Sequence, residues 1–294
     1  MELLLGQLVN GLTIGSTYAL VALGIVLIFS VLDVLSIAQG QIFIAAAYAG
    51  FVWFHRAVSP DLLLCAAFVI LVSIVIGVVV ERVAIRPALH GGHRATLITT
   101  IGVGLILSNG VQILAGPDAQ PVANDAAAAS LFHVGNVDVS VISAASVGVL
   151  AIGFLLLKYF TERTRAGSLV RAVAEDAETA SAMGVNVRRV RSATFAGGCA
   201  LAGLAAVLLG LKYGNLTPSL GATFSLTALT AAIIGGASRV EGAVLVSFAL
   251  GILETMTTAY LGADYVMLVQ FTFFFVILLA LPEGIFRRTY RRAG

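Results

Sequence analysis

Along most of this chain apolar residues do not alternate with polar ones; they run on for the length of a membrane crossing. Such stretches extend approximately from Leu8 to Val31, Ile37 to Ala57, Leu62 to Val83, Ala95 to Ala115, Val139 to Tyr159, Ser192 to Lys212, Leu220 to Ala237, Gly242 to Leu261 and Tyr265 to Leu281. Roughly 20 apolar residues in a helix cross a hydrocarbon core of ~30 Å. Hydrocarbon offers no partner to backbone N–H and C=O groups, so a spanning segment must satisfy its own, as a helix does. Barrel strands would show short alternating segments, and these runs do not alternate. The pattern predicts an all-α integral membrane protein, a polytopic bundle of about eight or nine transmembrane helices. Two stretches depart from it. The one from Ile37 carries Gln39, Gly40 and Gln41 near its start, and the one before Gly235-Gly236 is short. Either fits a broken or re-entrant helix, tolerated only where freed backbone is buried in protein or lines a wet cavity.

Composition excludes a soluble alternative. The chain is 59% hydrophobic and 11% charged, with a mean hydropathy of +1.02. A water-soluble domain needs roughly 25% charged residues to coat its surface. Cys65 and Cys199 lie inside apolar runs without metal-ligand spacing and read as small buried hydrophobes. The opening apolar stretch has no positive flank and exceeds a signal-peptide core, so it reads as a retained first span.

Charge distribution sets the expected topology. Basic residues concentrate in the Glu81–Ala95 connection (Arg82, Arg86, Arg94) and in Lys158–Arg191 (Lys158, Arg163, Arg165, Arg171, Arg188, Arg189, Arg191). The tail adds Arg287, Arg288, Arg291 and Arg292, and the three regions hold 14 of the 17 basic residues. The 116–138 loop has only Asp118, Asp125 and Asp138, with an Ala-rich patch at Ala126–Ala129. The positive-inside rule places the basic regions and the C-terminus in the cytoplasm and the acidic loop outside. All three basic regions agree if the short Leu220–Ala237 stretch crosses, and counting backwards puts the N-terminus outside. Small residues at Gly11, Gly15 and Ala19, and at Gly198 and Ala202, have the spacing by which helices approach closely in lipid. One transmembrane domain, residues 1–294, is expected, with a cytoplasmic loop over 161–191.

That loop is the polar exception in an apolar chain. From Ser168 the spacing predicts a helix, with Ser168 as cap, Leu169, Val173, Ala177 and Ala180 on one face, and Gly184 as the left-handed stop. Glu175, Asp176 and Glu178 fall on or beside its exposed face. An amphipathic helix held at the membrane surface by flanking spans is a handle that a soluble partner can grip; a plain solvated connection has the same pattern.

Glu178-Thr-Ala180-Ser-Ala-Met-Gly184 resembles the Glu-Ala-Ala-x-x-x-Gly core of the ABC-permease coupling loop, with Thr at the second position. Further likeness lies in Asn10-Gly-Leu-Thr-Ile-Gly-Ser-Thr-Tyr-Ala-Leu-Val-Ala-Leu-Gly24, Leu97-Ile-Thr-Thr-Ile-Gly102, Arg171-Ala-Val-Ala-Glu-Asp176, Gly235-Gly236 and Gly242-Ala243. Together these residues resemble the LivH type of permease from branched-chain amino acid ABC importers, over nearly the whole chain. The resemblance implies residence in the bacterial inner membrane. It also implies a second related permease, two cytoplasmic ATPases that bind the ATP, an extracytoplasmic solute-binding protein, and no cofactor in this chain. It makes Glu175, Asp176, Glu178, Ala180 and Gly184 the expected contact with the ATPases. Two places depart from the family pattern: Ser36-Ile-Ala-Gln-Gly-Gln41, where it often has Asn-Phe-Ala-His-Gly-Glu, and Ala237-Ser-Arg-Val-Glu241. If these face the solute path, the cargo differs from a branched-chain amino acid; urea, amides or other amino acids serve related permeases.

No catalytic constellation is present. A P-loop needs a lysine after a glycine-rich turn, and Lys158 and Lys212 both stand in Leu-Lys-Tyr. His90-Gly-Gly-His93 lacks carboxylate or thiol support and reads as a solvated turn. Glu254 lies inside an apolar run, where charge is costly, so it should face the bundle interior or water. Asn109, Gln112 and Gln270 are expected to form hydrogen bonds between helices. Gln39, Gly40 and Gln41, with Glu254, are the candidate translocation path: neutral amides at a helix break can hydrogen-bond a zwitterion without holding it tightly. A stand-alone channel or secondary transporter for a small neutral solute is the rival reading.

Overall fold

The computed structural model describes residues 2–34, 36–54, 62–122, 130–134, 137–236 and 239–280. The tail arginines 287, 288, 291 and 292, Asp125, the Ala126–Ala129 patch and Ala237-Ser238 lie outside the described residues. Seven described helices are long and apolar enough to cross a membrane, and two shorter apolar ones accompany them. The long ones are α1 (Glu2–Leu32), α3 (Leu62–Val80), α4 (Gly92–Ala115), α5 (Val141–Arg163), α8 (Val187–Tyr213), α10 (Val240–Tyr260) and α11 (Val266–Ala280). The shorter pair is α2 (Gln39–Ala47), continued by a π-helical turn Tyr48–Phe54, and α9 (Leu220–Gly235). Two small polar helices, α6 (Arg165–Glu175) and α7 (Ala177–Ala182), join α5 to α8.

Helix α1 is the shaft of the bundle. Its most apolar stretch is 89% buried, against 6% for α11 and 17% for α4, which leave most of their apolar side chains outward. In lipid such exposure costs nothing, and association rests on close packing. Gly11 and Gly15 accordingly lie against the backbone of Ile252 and Phe248 on α10, and Gly198 of α8 lies against the Gly24 carbonyl of α1.

The two ends of the bundle differ in charge. At one end Gln120-Pro121 pair antiparallel with Asn215-Leu216, and the Lys212 ammonium reaches the Asn10 carbonyl at 3.4 Å. The acidic 116–138 loop, the α8–α9 turn and the start of α1 therefore share that end. A hairpin formed by Ser130–Val134 and Val137–Ser140 belongs to the same loop. At the opposite end the Ser192 hydroxyl donates to Glu81 at 2.7 Å and the Arg86 guanidinium donates to Ser192 at 2.8 Å, so the Arg82–Arg94 connection meets the start of α8.

The short helices begin inside the bundle. Asp33 takes φ 52, in the left-handed region that Asp tolerates better than most residues. The chain then doubles back, and α2 starts at Gln39, whose amide donates to the Gly198 carbonyl at 2.9 Å. Gly24 packs beside Gln39, about eight residues or ~12 Å from the end of α1. From there α2 runs along α8 to the level of Gly210, where Phe51 packs, and the Tyr48 hydroxyl closes it onto the Leu216 carbonyl at 2.8 Å. Helix α9 overlaps the first turn of α2 and runs the other way, to Gly235 against Gly242 and Ala243.

Candidate functional site

The overlap of α2 and α9 brings polar groups together in the middle of an apolar bundle. A Cβ on Gly40 would collide with the Gly221 carbonyl and the Ser225 side chain, so glycine at both positions lets the helix starts cross. The Ser225 hydroxyl donates to the Ile37 carbonyl at 2.9 Å, satisfying backbone freed by the break. Gln39 is fully buried and Gln41 nearly so. Their Oε1 atoms, and the hydroxyl of buried Ser36, have no hydrogen-bond partner among the described residues. A buried polar atom left unpaired costs ~1–3 kcal/mol, and three of them lie around this one break. The glutamines differ in setting. Gln39 is tied to α8; Gln41 lies against Gly221 and beside Gly104 of α4.

Glu254 sits apart from this junction. The Tyr18 hydroxyl donates to its Oε2 at 2.5 Å and the Gln270 amide at 3.3 Å, while the Thr227 hydroxyl donates to Gln270 Oε1 at 3.2 Å. The carboxyl thus faces the bundle and ties α1, α9, α10 and α11. A row of rings lies between the two polar groups: Phe43 and Phe224 at 5.5 Å, then Phe224 and Tyr18 at 4.7 Å. The candidate path residues therefore form two clusters rather than one. Tyr18 and Thr227 escaped sequence reading because an aromatic hydroxyl and a threonine in apolar runs give no local sign of a partner. Asn109 departs from expectation. Its amide donates to the Leu105 carbonyl of its own helix at 2.8 Å and, among the described residues, joins no second helix.

The polar segment between α5 and α8 is two helices, not the single helix expected from Ser168. Thr164 caps α6, accepting from the Gly167 N–H at 3.0 Å, and Ser168 lies within it. The break falls at Asp176, whose carboxylate caps α7 by accepting from the Glu178 and Thr179 N–H groups at 2.9 and 3.1 Å and from the Thr179 hydroxyl at 2.6 Å. Asp is a better cap than helix-interior residue. The Thr179 hydroxyl, followed by the two N–H groups, holds the Asp176 carboxyl below the ordinary carboxylate range. Gly184 ends α7 at φ 86, with the Val185 N–H on the Ala180 carbonyl and the Gly184 N–H on that of Ser181, both at 3.0 Å. This is the Schellman arrangement. Ala180, Val170 and Val173 bury themselves against Val31 at the end of α1, whereas Leu169 is 42% exposed. Glu175, Asp176 and Glu178 point to solvent, and Met183 at the tip is 81% exposed.

A central helix, two short ones packed against it and an acidic segment resting on its end make up a polytopic helical membrane bundle. The chain belongs to the family described as branched-chain amino acid transport system permease component, whose pattern it matches over residues 7–278. It is 34% identical over 300 residues to the high-affinity branched-chain amino acid transport permease LivH of Escherichia coli K12, covering 97% of this chain and 96% of that one. It is 33% identical to the corresponding protein BraD of Pseudomonas aeruginosa, with the same coverage. Its fold is similar to that of PsaBC from Streptococcus pneumoniae, solved with a Fab, at a TM-score of 0.51 and 16% identity over 96% of this chain and 93% of that one.

Proposed function

We propose that this chain carries branched-chain amino acids, or a similar small polar solute, across the bacterial inner membrane as the spanning subunit of an ATP-driven importer. Residues 1–294 form one transmembrane domain of nine crossing segments, α2 and α9 included, with the 116–138 loop outside and the 161–191 loop and C-terminus in the cytoplasm. A second related permease completes the path and an extracytoplasmic binding protein delivers the solute. Two ATPases bind the ATP, and this chain needs no cofactor.

The observation that carries this reading is the seating of α6 and α7 on Val31. From there α1 leads in about seven residues, ~10 Å, to Gly24, beside Gln39 at the α2–α9 junction. A push on Glu175, Asp176, Glu178 and Met183 by an ATPase dimer reaches the junction through one rigid helix. Ala180 anchors the segment and Gly184 sets its turn. Gln39, Gly40, Gln41 and Glu254 contribute the polar part of the path, and the ATPases' differential affinity for two bundle conformations supplies the bias.

Gly184 gives the test. It has open space around it but a left-handed backbone, so Gly184→Leu strains only the turn. In proteoliposomes holding the whole importer, the variant is expected to hydrolyse ATP while losing most solute uptake. Uptake equal to that of the parent would remove the coupling role, and uptake by this chain without ATPases would establish the stand-alone channel.

A further inference from the structure

A half-open groove of about 490 Å³ runs between α5 and α8 on the flank of the bundle, with Leu27 of α1 behind it. Along α8 it extends from Arg189 to Leu204, about 15 residues or ~22 Å, about one and a half times the depth of one leaflet of a ~30 Å hydrocarbon core. Its walls are almost wholly apolar, and Gly197 opens its floor. At the basic end it is roofed by Leu169 and Val170 of α6.

Two polar features interrupt this lining. Thr194 is 4% exposed and lines the groove, yet its hydroxyl has no partner among the described residues, although threonines in helices ordinarily bond a carbonyl one turn back. Arg189 stands at the mouth and also lines an adjoining open pocket of about 570 Å³ with Arg82, Arg86 and Arg188. Arg86 is engaged by Glu81 and Ser192; the pocket remains strongly basic. An apolar slot long enough to take a leaflet's acyl chain, a buried hydroxyl about five residues (~7 Å) below its mouth, and clustered guanidinium groups above match one molecule in register.

We propose that this groove binds one anionic phospholipid of the leaflet at the basic end. An acyl chain lies along α8 over Gly197, the Thr194 hydroxyl donates to an ester carbonyl, and the phosphate meets Arg189. The bound lipid then forms part of the support beneath α6.

Native mass spectrometry of the purified whole importer, equilibrated with equal phosphatidylglycerol and phosphatidylcholine, tests this. Retention of phosphatidylglycerol is expected, with the preference reduced about five-fold in Arg189→Gln. Thr194→Val, close in shape, is expected to lower retention of both lipids, and Gly197→Leu to abolish it with the complex assembled. If Gly197→Leu fails to assemble, Thr194→Val and Arg189→Gln still decide. Equal retention of the two lipids, retention indifferent to Thr194 and Arg189, or a partner helix cross-linked into the groove would overturn the assignment. Lipid retention is read without transport, so its failure leaves the importer reading untouched.

Discussion

The Tyr18 hydroxyl donates a 2.5 Å hydrogen bond to Glu254, joining residues 236 positions apart and locking the middle of α1 to α10. Tyr18 is fully buried, so no solvent can replace it. Tyr18→Phe leaves the carboxyl with the Gln270 amide as its one side-chain hydrogen-bond donor among the described residues and is expected to cost ~1–3 kcal/mol. Glu254→Gln, which still accepts from Tyr18, should cost less than Glu254→Leu. Thermal unfolding of the assembled importer in detergent checks the order; an unchanged midpoint for Tyr18→Phe would deny the bond its structural weight.

At the junction the two glutamines should separate stability from transport. Gln39→Leu removes the cross-helix bond to the Gly198 carbonyl, which keeps only its partner within α8, so a lower unfolding midpoint is expected. Gln41→Ala breaks no hydrogen bond of its Oε1 atom, which has no partner among the described residues. It should leave the midpoint nearly unchanged and raise the KM for uptake several-fold. An unaltered KM in Gln41→Ala would take that residue out of the solute path.

How much of this was legible in the sequence follows from which physics is local. The span positions were, because apolar run length is set by membrane thickness and needs no knowledge of neighbours. So were the suspect segments: Gln39-Gly40-Gln41 inside an apolar run and a short stretch before Gly235-Gly236 correspond to the two short helices. The crossing of the two helix starts at Gly40 and Gly221 was not, since nothing in either segment names the other. The kink at Asp176 was misread for another reason. Periodicity continues through it, and only the geometry of its Thr179 contacts shows the carboxylate acting as a cap.

That cap has a pH signature. The folded-state pKa of Asp176 is depressed, so its contribution is fully present above the unfolded value of about 3.9 and is lost as pH falls through the lower folded one. Amide exchange at Glu178 and Thr179, corrected for intrinsic rate, should therefore be flat from about pH 5 to 8 and rise below about 4. Asp176→Ala should raise it several-fold across the neutral range. Acceleration between pH 6 and 7 would point to a different titrating group.

Glu81 is 1% exposed, at the junction of α3 and a π-helical turn, and it holds two elements at once. Arg86 reaches both its carboxylate oxygens at 3.3 Å, and Ser192 at the start of α8 donates to it at 2.7 Å. This triad is where the α3–α4 connection meets the end of the segment carrying α6 and α7. Removing one member of a buried ion pair typically costs ~3–5 kcal/mol because the remaining charge is left without its counterion. Here Arg86 is partly exposed and water can solvate it once Glu81 is removed, whereas the buried Glu81 carboxylate has no such relief, so Arg86→Gln should cost more than Glu81→Leu. Glu81→Gln buries no charge, keeps an acceptor for Ser192 and should cost less than either. Ser192→Ala removes the link between the Glu81 turn and the start of α8 but leaves the ion pair intact, so its effect should appear more in uptake per ATP hydrolysed than in the unfolding midpoint. If Ser192→Ala instead lowers the midpoint as far as Glu81→Leu does, the triad is a structural clamp with no part in transmission.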